Sequence, residues 1–327
     1  MNWDKLRSWA WPSELKRRGV LGINARNLQR IGPLNPRRLL PHVDDKVLCK
    51  RICGAHEIPV PQTYSVIESY GDLRRLGEIL AERTQFVIKP ARGAGGRGIL
   101  VVTGRDYDTV QTASSGRLNH AELRYHFAQI LSGLYSLGGR PDRALVEQRI
   151  ARHPVFDQLT VGGTPDVRVI CHRSVPAMAM LRLPTSASRG RANLHQGAIG
   201  VGVNLQTGRT RGAVWRNQSI ANHPDTLAPV AGVRIPFWTD ILAIASRLSR
   251  ALQLGYIGID LILDADDGPM VLEANARPGL AIQIANGRGL LRPRTSPSVR
   301  RAFLSNPPSA RTDDLEAEDA RSVHRRA

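Results

Sequence analysis

The segment 255–280, GYIGIDLILDADDGPMVLEANARPGL, restricts the fold of this 327-residue chain more than any other stretch. Two apolar runs flank the acidic sequence DADDG, which is typical of a tight turn, so the segment predicts a β-hairpin. A symmetric register with its turn centred between Asp266 and Asp267 pairs Asp260 with Glu273. Residues paired in this way have Cβ atoms about 5 Å apart on one face of the sheet. The hairpin therefore brings two carboxylates together.

Adjacent carboxylates repel each other, and burying them without a cation costs several kcal/mol. Apolar neighbours such as Ile259 and Val271 indicate that at least one face of the hairpin is buried. Mg²⁺ resolves the conflict, because it binds one or two carboxylates and completes its coordination with water and phosphate oxygens. The predicted metal ligands share one face and are Asp260, Glu273 and Asn275. The alternative is a solvent-facing acidic hairpin, which is our interpretation of Asp264, Asp266 and Asp267.

The segment 85–102, QFVIKPARGAGGRGILVV, predicts a strand, a glycine-rich turn and a second strand. It is not a Walker A loop, because no Gly-Lys-Ser/Thr follows, and it lacks the helix of a dinucleotide fingerprint. A glycine-rich turn can still fold over phosphates with its N–H groups directed at the oxygens, while Lys89 supplies a positive charge. The glycines concerned are Gly93, Gly95, Gly96 and Gly98. A flexible turn without a ligand is the alternative.

The remaining pattern mixes helices with strand pairs joined by short turns. Residues 143–150, RALVEQRI, predict a short buried strand whose end, at Glu147 and Gln148, could bind the edge of an adenine. A hairpin is predicted over 166–184. Helices are predicted over 44–55 with Asp44 as N-cap, over 71–83, over 121–134 and over 236–253. Antiparallel α+β lobes are favoured over a doubly wound parallel sheet.

The formal net charge of +18 suggests nucleic acid as a partner. The positive charge is spread along the whole chain without a long basic block, so we do not predict dedicated nucleic-acid binding. The need to bind an anionic substrate, or ATP itself, would explain much of this positive charge. Only five residues are lysine. Their scarcity singles out Lys46 and Lys89.

The cysteine content predicts neither a disulfide framework nor a metal site. Cys49, Cys53 and Cys171 are too few for such a framework, and no neighbouring His or Cys completes a zinc set. We interpret them as buried thiols, which fits a reducing cytoplasm. No stretch approaches the ~20 apolar residues of a membrane helix, so no transmembrane segment is predicted. No secretory signal is predicted either.

Three parts of the chain differ in composition. Residues 1–41 form a Trp/Arg-rich helix and loop, in which we expect the tryptophans to pack on their own domain rather than on a membrane or a partner. Residues 42–291 carry the strand and helix pattern. Residues 292–327, rich in Pro, Ser, Arg and acid, predict a disordered tail.

The order of these features resembles the ATP-grasp superfamily. The series runs from a lysine at a capped helix start through a strand lysine with a glycine loop to a closing Glu-x-Asn motif. It is most similar to RimK-type ligases and to proteins related to alpha-L-glutamate ligases. The resemblance covers about residues 42–290 and rests on VDDK, FVIKPARGAGGRGI, PDVRV, AMAMLRLP, ANLHQGA and GIDLIL…VLEANARPGL.

The resemblance implies an α+β ATP-grasp fold, with two lobes of antiparallel sheet that clasp ATP. The nucleotide lobe would span about 60–150 and the metal and catalytic lobe about 151–291. The family usually carries a Rossmann-like domain before the lysine helix, and this chain lacks a full one, because only about 40 residues precede Asp44. The acceptor would be held by residues 22–41, by residues 104–140 or by a partner protein. A homo-oligomer is compatible with the sequence.

The resemblance also implies residue roles. Lys46 and Lys89 would hold the α- and β-phosphates while the glycine loop closes over the γ-phosphate. The adenine and ribose pocket would be lined by Glu147, Gln148 and Ile150. Mg²⁺, or alternatively Mn²⁺, would be bound by the hairpin set named above. The groups around the γ-phosphate and acyl phosphate would be Arg168, Arg182, Asn193 and Arg277.

The implied reaction is an ATP-dependent ligation of an acid to an amine. A carboxylate attacks the γ-phosphate to give an acyl phosphate, and an amine then displaces phosphate to form an amide. Such catalysis depends on positioning and on charge neutralisation, and it needs no nucleophilic Ser or Cys. The expected substrates are glutamate or another amino acid and a peptide or protein. The alternatives are an ATP-grasp phosphotransferase and a nucleotide-binding regulatory module without turnover.

Overall fold

In a computed structural model of the chain, the described residues run from 11 to 291 without Ala94, Tyr107 and Ser115. They form two antiparallel sheets, which confirms the predicted α+β class. The strands are β1 Thr63–Ile67, β2 Phe86–Pro90, β3 Leu100–Arg105, β4 Thr109–Thr112, β5 Gly116–Asn119, β6 Ala144–Glu147, β7 Asp166–His172, β8 Val175–Leu183, β9 Ile199–Val203, β10 Thr210–Trp215, β11 Gln218–Ile220, β12 Tyr256–Asp264 and β13 Gly268–Asn275.

The six-stranded sheet has the order β1-β6-β2-β3-β4-β5 and the seven-stranded sheet the order β11-β10-β9-β8-β7-β12-β13. The α-helices are Pro12–Arg17, Ile23–Arg26, Gly32–Leu34, Pro41–Asp44, Lys46–Ala55, Leu76–Ile79, His120–Leu131, Trp238–Ala251 and Ala281–Ala285. The shorter turns are the π-helix Asn27–Ile31 and the 3₁₀-helices Arg37–Leu39, Asp72–Arg75, Leu137–Gly139, Pro154–Leu159 and Leu194–Gln196. Among these described helices, none combines the length and the hydrophobicity that crossing a membrane requires.

Each sheet buries one face under a helix, and on the opposite face of the larger sheet Ile170 and Met178 pack with Ile282 in a third core. Phe86 and Ile88 pack into a core with residues of helix His120–Leu131, so the alternation of the strand turns Lys89 to the opposite face. In the larger sheet, Val169 and Ile259 pack against helix Trp238–Ala251. Arg168 and Asp260 consequently lie on the other face. The polar residues of both sheets thus face away from the two main cores.

The hairpin β12–β13 confirms the predicted pairing of Asp260 with Glu273 but corrects the predicted turn. The strands close at Asp264 opposite Gly268, so the turn is centred on Asp266, half a residue earlier than expected. A β-bulge between the pairs Asp260–Glu273 and Leu261–Val271 restores the register. The error in the turn position and the unpredicted bulge therefore offset each other, and the predicted pairing of Asp260 with Glu273 is correct.

Several predicted helix boundaries were wrong. The helix expected over 44–55 begins at Lys46, and its N-cap is Asp45, whose carboxylate accepts hydrogen bonds from the amides of Val47 and Leu48. Asp44 instead ends the preceding short helix. Residues 71–83 form only the short 3₁₀-helix Asp72–Arg75 and the short α-helix Leu76–Ile79, and the helix expected over 121–134 is His120–Leu131. The helix over 236–253 and the hairpin over 166–184 are present.

The expected packing of the N-terminal tryptophans was wrong for Trp11, which is 69% exposed. Helix Pro12–Arg17 has no buried residue. Trp3 and Trp9 lie outside the described residues, as does the predicted tail 292–327. The three cysteines are buried free thiols, as predicted.

Asn35 ties the N-terminal segment to the larger sheet. Its buried side chain donates to the carbonyls of Tyr256 and Ala276, at 2.7 and 3.1 Å, and accepts from the amide of Tyr256 at 3.0 Å. A single amide side chain therefore satisfies backbone groups at the start of β12 and just beyond β13. Buried polar groups of this kind are costly to leave unpaired.

We expect Asn35→Ala to lower the free energy of unfolding by about 2–3 kcal/mol, because it leaves buried backbone groups without partners. Asn24→Ala, at an exposed position of the same segment, is the matched control and should change stability by less than about 0.5 kcal/mol. Urea denaturation monitored by circular dichroism measures both. Equal stability of the two variants would contradict this role of Asn35.

Candidate functional site

The centre of the candidate site is the buried carboxylate of Asp260, which is held by two arginines. Asp260 lies opposite Arg168 on the neighbouring strand β7. The guanidinium of Arg168 donates to both oxygens of Asp260, at 2.7 and 2.6 Å, and that of Arg182 donates to Oδ2 at 2.7 Å. Arg182 reaches this position from β8, two strands away. Three adjacent strands therefore build the cluster.

A second carboxylate, Asp166, completes this cluster. It pairs with Arg182 across the β7–β8 ladder and accepts two hydrogen bonds from the same guanidinium. Burial raises the pKa of Asp166 to about 6; the charge of Arg182 opposes this shift and that of Asp260 adds to it. Burial also disfavours the charged form of Asp260, but Arg168 and Arg182 outweigh it and hold the pKa of Asp260 below its ordinary value. The charges of the two arginines and two aspartates balance.

Lys46 connects the glycine loop to the hairpin. Its Nζ donates to the carbonyl of Gly93 at 2.7 Å and lies 3.4 Å from a carboxylate oxygen of Glu273. Glu273 is a partly exposed side chain, whereas Asp260, its partner across β12–β13, is buried. Two residues predicted for different tasks, one for phosphate and one for metal, are thus adjacent.

A second cation–carboxylate group lies on the six-stranded sheet. The carboxylate of Glu147 forms ion pairs with Nζ of Lys89 and with Nζ of Lys50, the latter at 2.6 Å. Burial opposes ionisation of Glu147, but Lys89 and Lys50 outweigh it and hold the pKa of Glu147 below its ordinary value. All three side chains are at least 88% buried, because their exposed fractions are 3%, 4% and 12%.

Lys50 was not predicted as a site residue. It lies one helical turn after Lys46 and also donates to the carbonyl of Pro61 at 2.6 Å. Burial lowers the pKa of Lys50, although Glu147 opposes this shift. Its four-residue spacing from Lys46, in a chain with only five lysines, was the signal that could have found it.

Asp45 anchors the helix that carries these lysines. Besides capping the helix, its carboxylate accepts from Arg143 at 2.6 Å and from Arg92 at 3.2 Å. Arg92 precedes the glycine loop and Arg143 precedes β6. The amide of Lys46 also donates to the carbonyl of Ala91 at 3.0 Å. The start of the helix is therefore hydrogen-bonded both to the segment that follows β2 and to the residue that precedes β6.

The glycine-rich turn needs glycine at specific positions. Gly95, Gly96 and Gly98 have φ values of 68°, 74° and 73°, a region that other residues rarely adopt. A Cβ on Gly98 would also lie 2.5 Å from the ring of Tyr135. The loop conformation thus depends on glycine both for its backbone angles and for its close approach to a side chain.

The second lobe contacts this loop. Gln196 Nε2 donates to the carbonyl of Gly95 at 3.2 Å, and a Cβ on Gly96 would lie 3.8 Å from Cδ of Arg191. Asn193 lies at the start of the same turn, where its side chain accepts from the amide of His195 at 3.0 Å. Segment 191–196 therefore joins the two lobes above the predicted phosphate loop.

Other predicted residues are placed less centrally. Arg277 is exposed, and its backbone amide donates to Asn275 Oδ1 at 2.7 Å. Gln148 donates to Asp267 at 2.9 Å and accepts from the amide of Gln62 at 3.0 Å. Ile150 is half-buried just beyond β6.

The interpretation of Asp264 as solvent-facing was wrong. It is buried, and its carboxylate accepts from the amides of Ala151, Asp266 and Asp267, so it shapes the hairpin turn. Asp266 and Asp267 are exposed, as expected.

The predicted metal ligands supply a donor set that fits a hard divalent cation. All three offer oxygen, which Mg²⁺ prefers. Asp260 Oδ1 accepts a single hydrogen bond, from Arg168, and so retains a lone pair. Asn275 Oδ1 accepts one as well, and Glu273 is only loosely paired with Lys46. Within the described part of the chain, no group of three or more His, Cys, Asp or Glu side chains could hold a metal, so the predicted set relies on the amide of Asn275 for its third ligand.

Sequence comparison assigns most of the chain to one family model. The model described as "Sugar-transfer associated ATP-grasp" matches residues 25–297. No curated protein matches the sequence.

Among solved structures, the chain is similar to the ATP-grasp ligase PsnB complexed with a minimal precursor, at 14% identity over 83% of this chain and 63% of that one, with a TM-score of 0.42. It is similar to a RimK domain ATP-grasp protein from Sphaerobacter thermophilus DSM 20745, at 15% identity over 84% and 72%, with a TM-score of 0.44. A third is the D-alanine–D-alanine ligase from Bacillus anthracis complexed with ATP, at 14% identity over 72% and 56%, with a TM-score of 0.39. The chain spans less than two thirds of the length of PsnB.

We expect Glu147→Gln to lower the free energy of unfolding by about 3–5 kcal/mol at pH 7, because it leaves two buried lysines without a counter-charge. The pKa of Glu147 is lowered in the folded protein, so its contribution is complete above the unfolded value of about 4.3 and is lost as the pH falls through the folded value. The stability difference between wild type and variant should therefore shrink below about pH 4.

Urea denaturation at a series of pH values measures this difference. Glu82→Gln, at an exposed position, is the matched control and should follow the wild type at every pH. A difference that stays constant down to pH 3 would show that the charge of Glu147 is not what stabilises the cluster.

Proposed function

The chain belongs to the sugar-transfer associated ATP-grasp family, and we propose that it is an ATP-dependent carboxylate–amine ligase. Family membership confirms the ATP-grasp fold predicted from the sequence. The proposal rests on one observation: ion pairs of arginine or lysine with carboxylates lie on both antiparallel sheets. Such a site offers positive charge and oxygen ligands but needs no nucleophilic side chain, as transfer of a phosphoryl group to a carboxylate requires.

The nucleotide would be held by the six-stranded sheet and the lysine helix. Lys89 and Lys46 would bind the α- and β-phosphates, because each Nζ is already held against a carboxylate or carbonyl acceptor that a phosphate oxygen can replace. The glycine loop would fold over the γ-phosphate. Glu147, Gln148 and Ile150 would line the adenine and ribose pocket, with Lys50 positioning the carboxylate of Glu147.

Mg²⁺, or Mn²⁺ in its place, would be held by Asp260, Glu273 and Asn275, and would neutralise charge on the phosphates when bound. The balance of charge within the arginine cluster supports this assignment. Arg168 and Arg182 offset the negative charges of Asp260 and Asp166, so the site can bind a cation next to a nucleotide without a large surplus of either sign.

In the proposed reaction, an oxygen of the carboxylate substrate attacks the γ-phosphorus and ADP leaves. The nitrogen of an amine then attacks the acyl carbon, phosphate leaves and the amine loses a proton. Arg168 and Arg182, with Asn193 on its loop, would neutralise the developing charge on the phosphoryl and acyl oxygens. Arg277, just beyond the metal motif, would act on the same region.

The proposed substrates are an amino acid such as glutamate and a peptide or protein acceptor. The family description adds sugar-derived acids and amines to the candidates that a test should include. Residues 22–41, residues 104–140 or a partner protein would complete the substrate site, and a homo-oligomer would be compatible with it. We place the reaction in the cytoplasm on the strength of the free thiols.

Two other functions remain as alternatives. A phosphotransferase would use the same nucleotide site but release a phosphorylated product. A regulatory module would bind ATP without turnover.

We expect wild-type protein with Mg-ATP, L-glutamate, a mixed peptide pool, uronic acids and amino sugars to release ADP in a reaction that depends on both an acid and an amine. Glu273→Gln should lower this rate by at least about a hundredfold, because it replaces a charged carboxylate of the predicted metal set with a neutral amide. A coupled assay for ADP measures both rates.

Asp266→Asn, an exposed acid in the turn of the same hairpin, is the matched control and should retain the wild-type rate. Tight ATP binding without ADP release under any mixture would contradict the ligase and favour the regulatory module or a missing partner.

We expect the product of this reaction to have the summed mass of the acid and the amine minus water, and to contain no phosphate. The reason is that phosphate leaves the acyl phosphate when the amide forms. Mass spectrometry of the reaction mixture measures this. A product that is heavier than its acid by one phosphoryl group, in the presence of every amine, would identify the phosphotransferase instead.

A further inference from the structure

The six-stranded lobe contains a cavity that the proposed reaction does not use. It has a volume of about 180 Å³ and lies between the turns 72–80, the β3–β4 hairpin and helix His120–Leu131. Its apolar lining belongs to the core that includes Ile88, whereas the neighbouring Lys89 faces the other side of the sheet. The cavity and the candidate nucleotide site are therefore on opposite faces of one sheet.

The floor and the rim of this cavity differ in chemistry. The floor is apolar and consists of Leu73, Leu76, Leu80, Val110 and Leu123. The rim is basic and consists of Arg74, Arg105, His120 and Arg124. Among the described residues that line it, none is Asp or Glu.

The rim arginines are available to a ligand. Arg105 donates to the carbonyl of Leu80, which fixes one guanidinium at the edge of the floor. Arg74 and Arg124 are exposed and form no salt bridge within the described part of the chain. An anionic group at the mouth would therefore meet three guanidinium groups without having to displace a carboxylate.

We propose that this cavity binds a small amphipathic carboxylate, with its aliphatic chain on the leucine floor and its carboxylate at the arginine rim. The size supports a short chain, since a dry cavity of about 150 Å³ accommodates a benzene molecule. The charge selects an acid over an amine, because every ionisable side chain of the lining is basic. This site is separate from the proposed ligase site, so it does not depend on that function.

Gly77 provides a way to close the cavity without disturbing the core. It lies on the lining within helix Leu76–Ile79, and a Cβ there would meet no heavy atom within 4 Å. A leucine at this position can extend across the mouth, whereas alanine adds only a methyl group. Gly77→Ala is therefore the matched control, because both variants raise helix propensity and only the larger one obstructs the cavity.

The experiment is isothermal titration of the full chain, without nucleotide, with sodium hexanoate, and with hexylammonium chloride and sodium acetate as comparisons. We expect saturable binding of hexanoate, no binding of hexylammonium and at least tenfold weaker binding of acetate, which lacks the chain. Gly77→Leu should abolish hexanoate binding, and Gly77→Ala should retain it.

A second variant tests the rim independently of the mouth. Arg124→Glu should weaken hexanoate binding by about tenfold, whereas Arg211→Glu, at an exposed position on the larger sheet, should leave it unchanged. The absence of saturable hexanoate binding to the wild type would overturn the proposal. So would equal binding of hexylammonium, or hexanoate binding that survives both Gly77→Leu and Arg124→Glu.

Discussion

The fold around the candidate site depends on one buried carboxylate, Asp260, that two arginines hold from neighbouring strands. An isolated charge in this position would be very costly, so the strands β7, β8 and β12 must lie side by side for the sheet to be stable. Arg168 and Arg182 are therefore as important to the architecture as to any chemistry. The same contacts prepare the site, because they fix guanidinium groups that need no reorganisation when a negative charge develops.

The lysine helix extends this arrangement to the other lobe. Asp45 caps the helix and is paired with Arg92 and Arg143, so the orientation of the helix is fixed relative to the glycine loop and to β6. Lys46 then lies between the carbonyl of Gly93 and the carboxylate of Glu273, one from each lobe. The lysine helix therefore contacts the larger sheet in two ways, through Lys46 and through Cys49, Ile52 and Cys53, which are buried in the core of that sheet.

Sequence reasoning predicted the antiparallel sheets, the carboxylate pair of the hairpin and the ATP-grasp superfamily. It was wrong about Asp264, because acidic turn residues are usually exposed and nothing in the sequence shows that backbone amides from 151, 266 and 267 converge on this one. It placed the N-cap at Asp44 instead of Asp45, because two consecutive aspartates have the same capping preference and the sequence does not distinguish them. It overlooked Lys50, whose role depends on a strand more than ninety residues away. The roles of the predicted site residues remain predictions.

The sequence by itself determined the local features: the hairpin, the glycine-rich turn, the periodicity of the strands and the presence of cations beside carboxylates. These depend on residues close in the chain, where spacing and conformational preference act directly. Only the tertiary structure decided which cation meets which carboxylate. Asp260 meets Arg168 because β12 pairs with β7, a strand about ninety residues earlier in the chain. Lys50 meets Glu147 because a helix packs against a sheet. Such long-range order results from the burial of whole faces, and no local pattern encodes it.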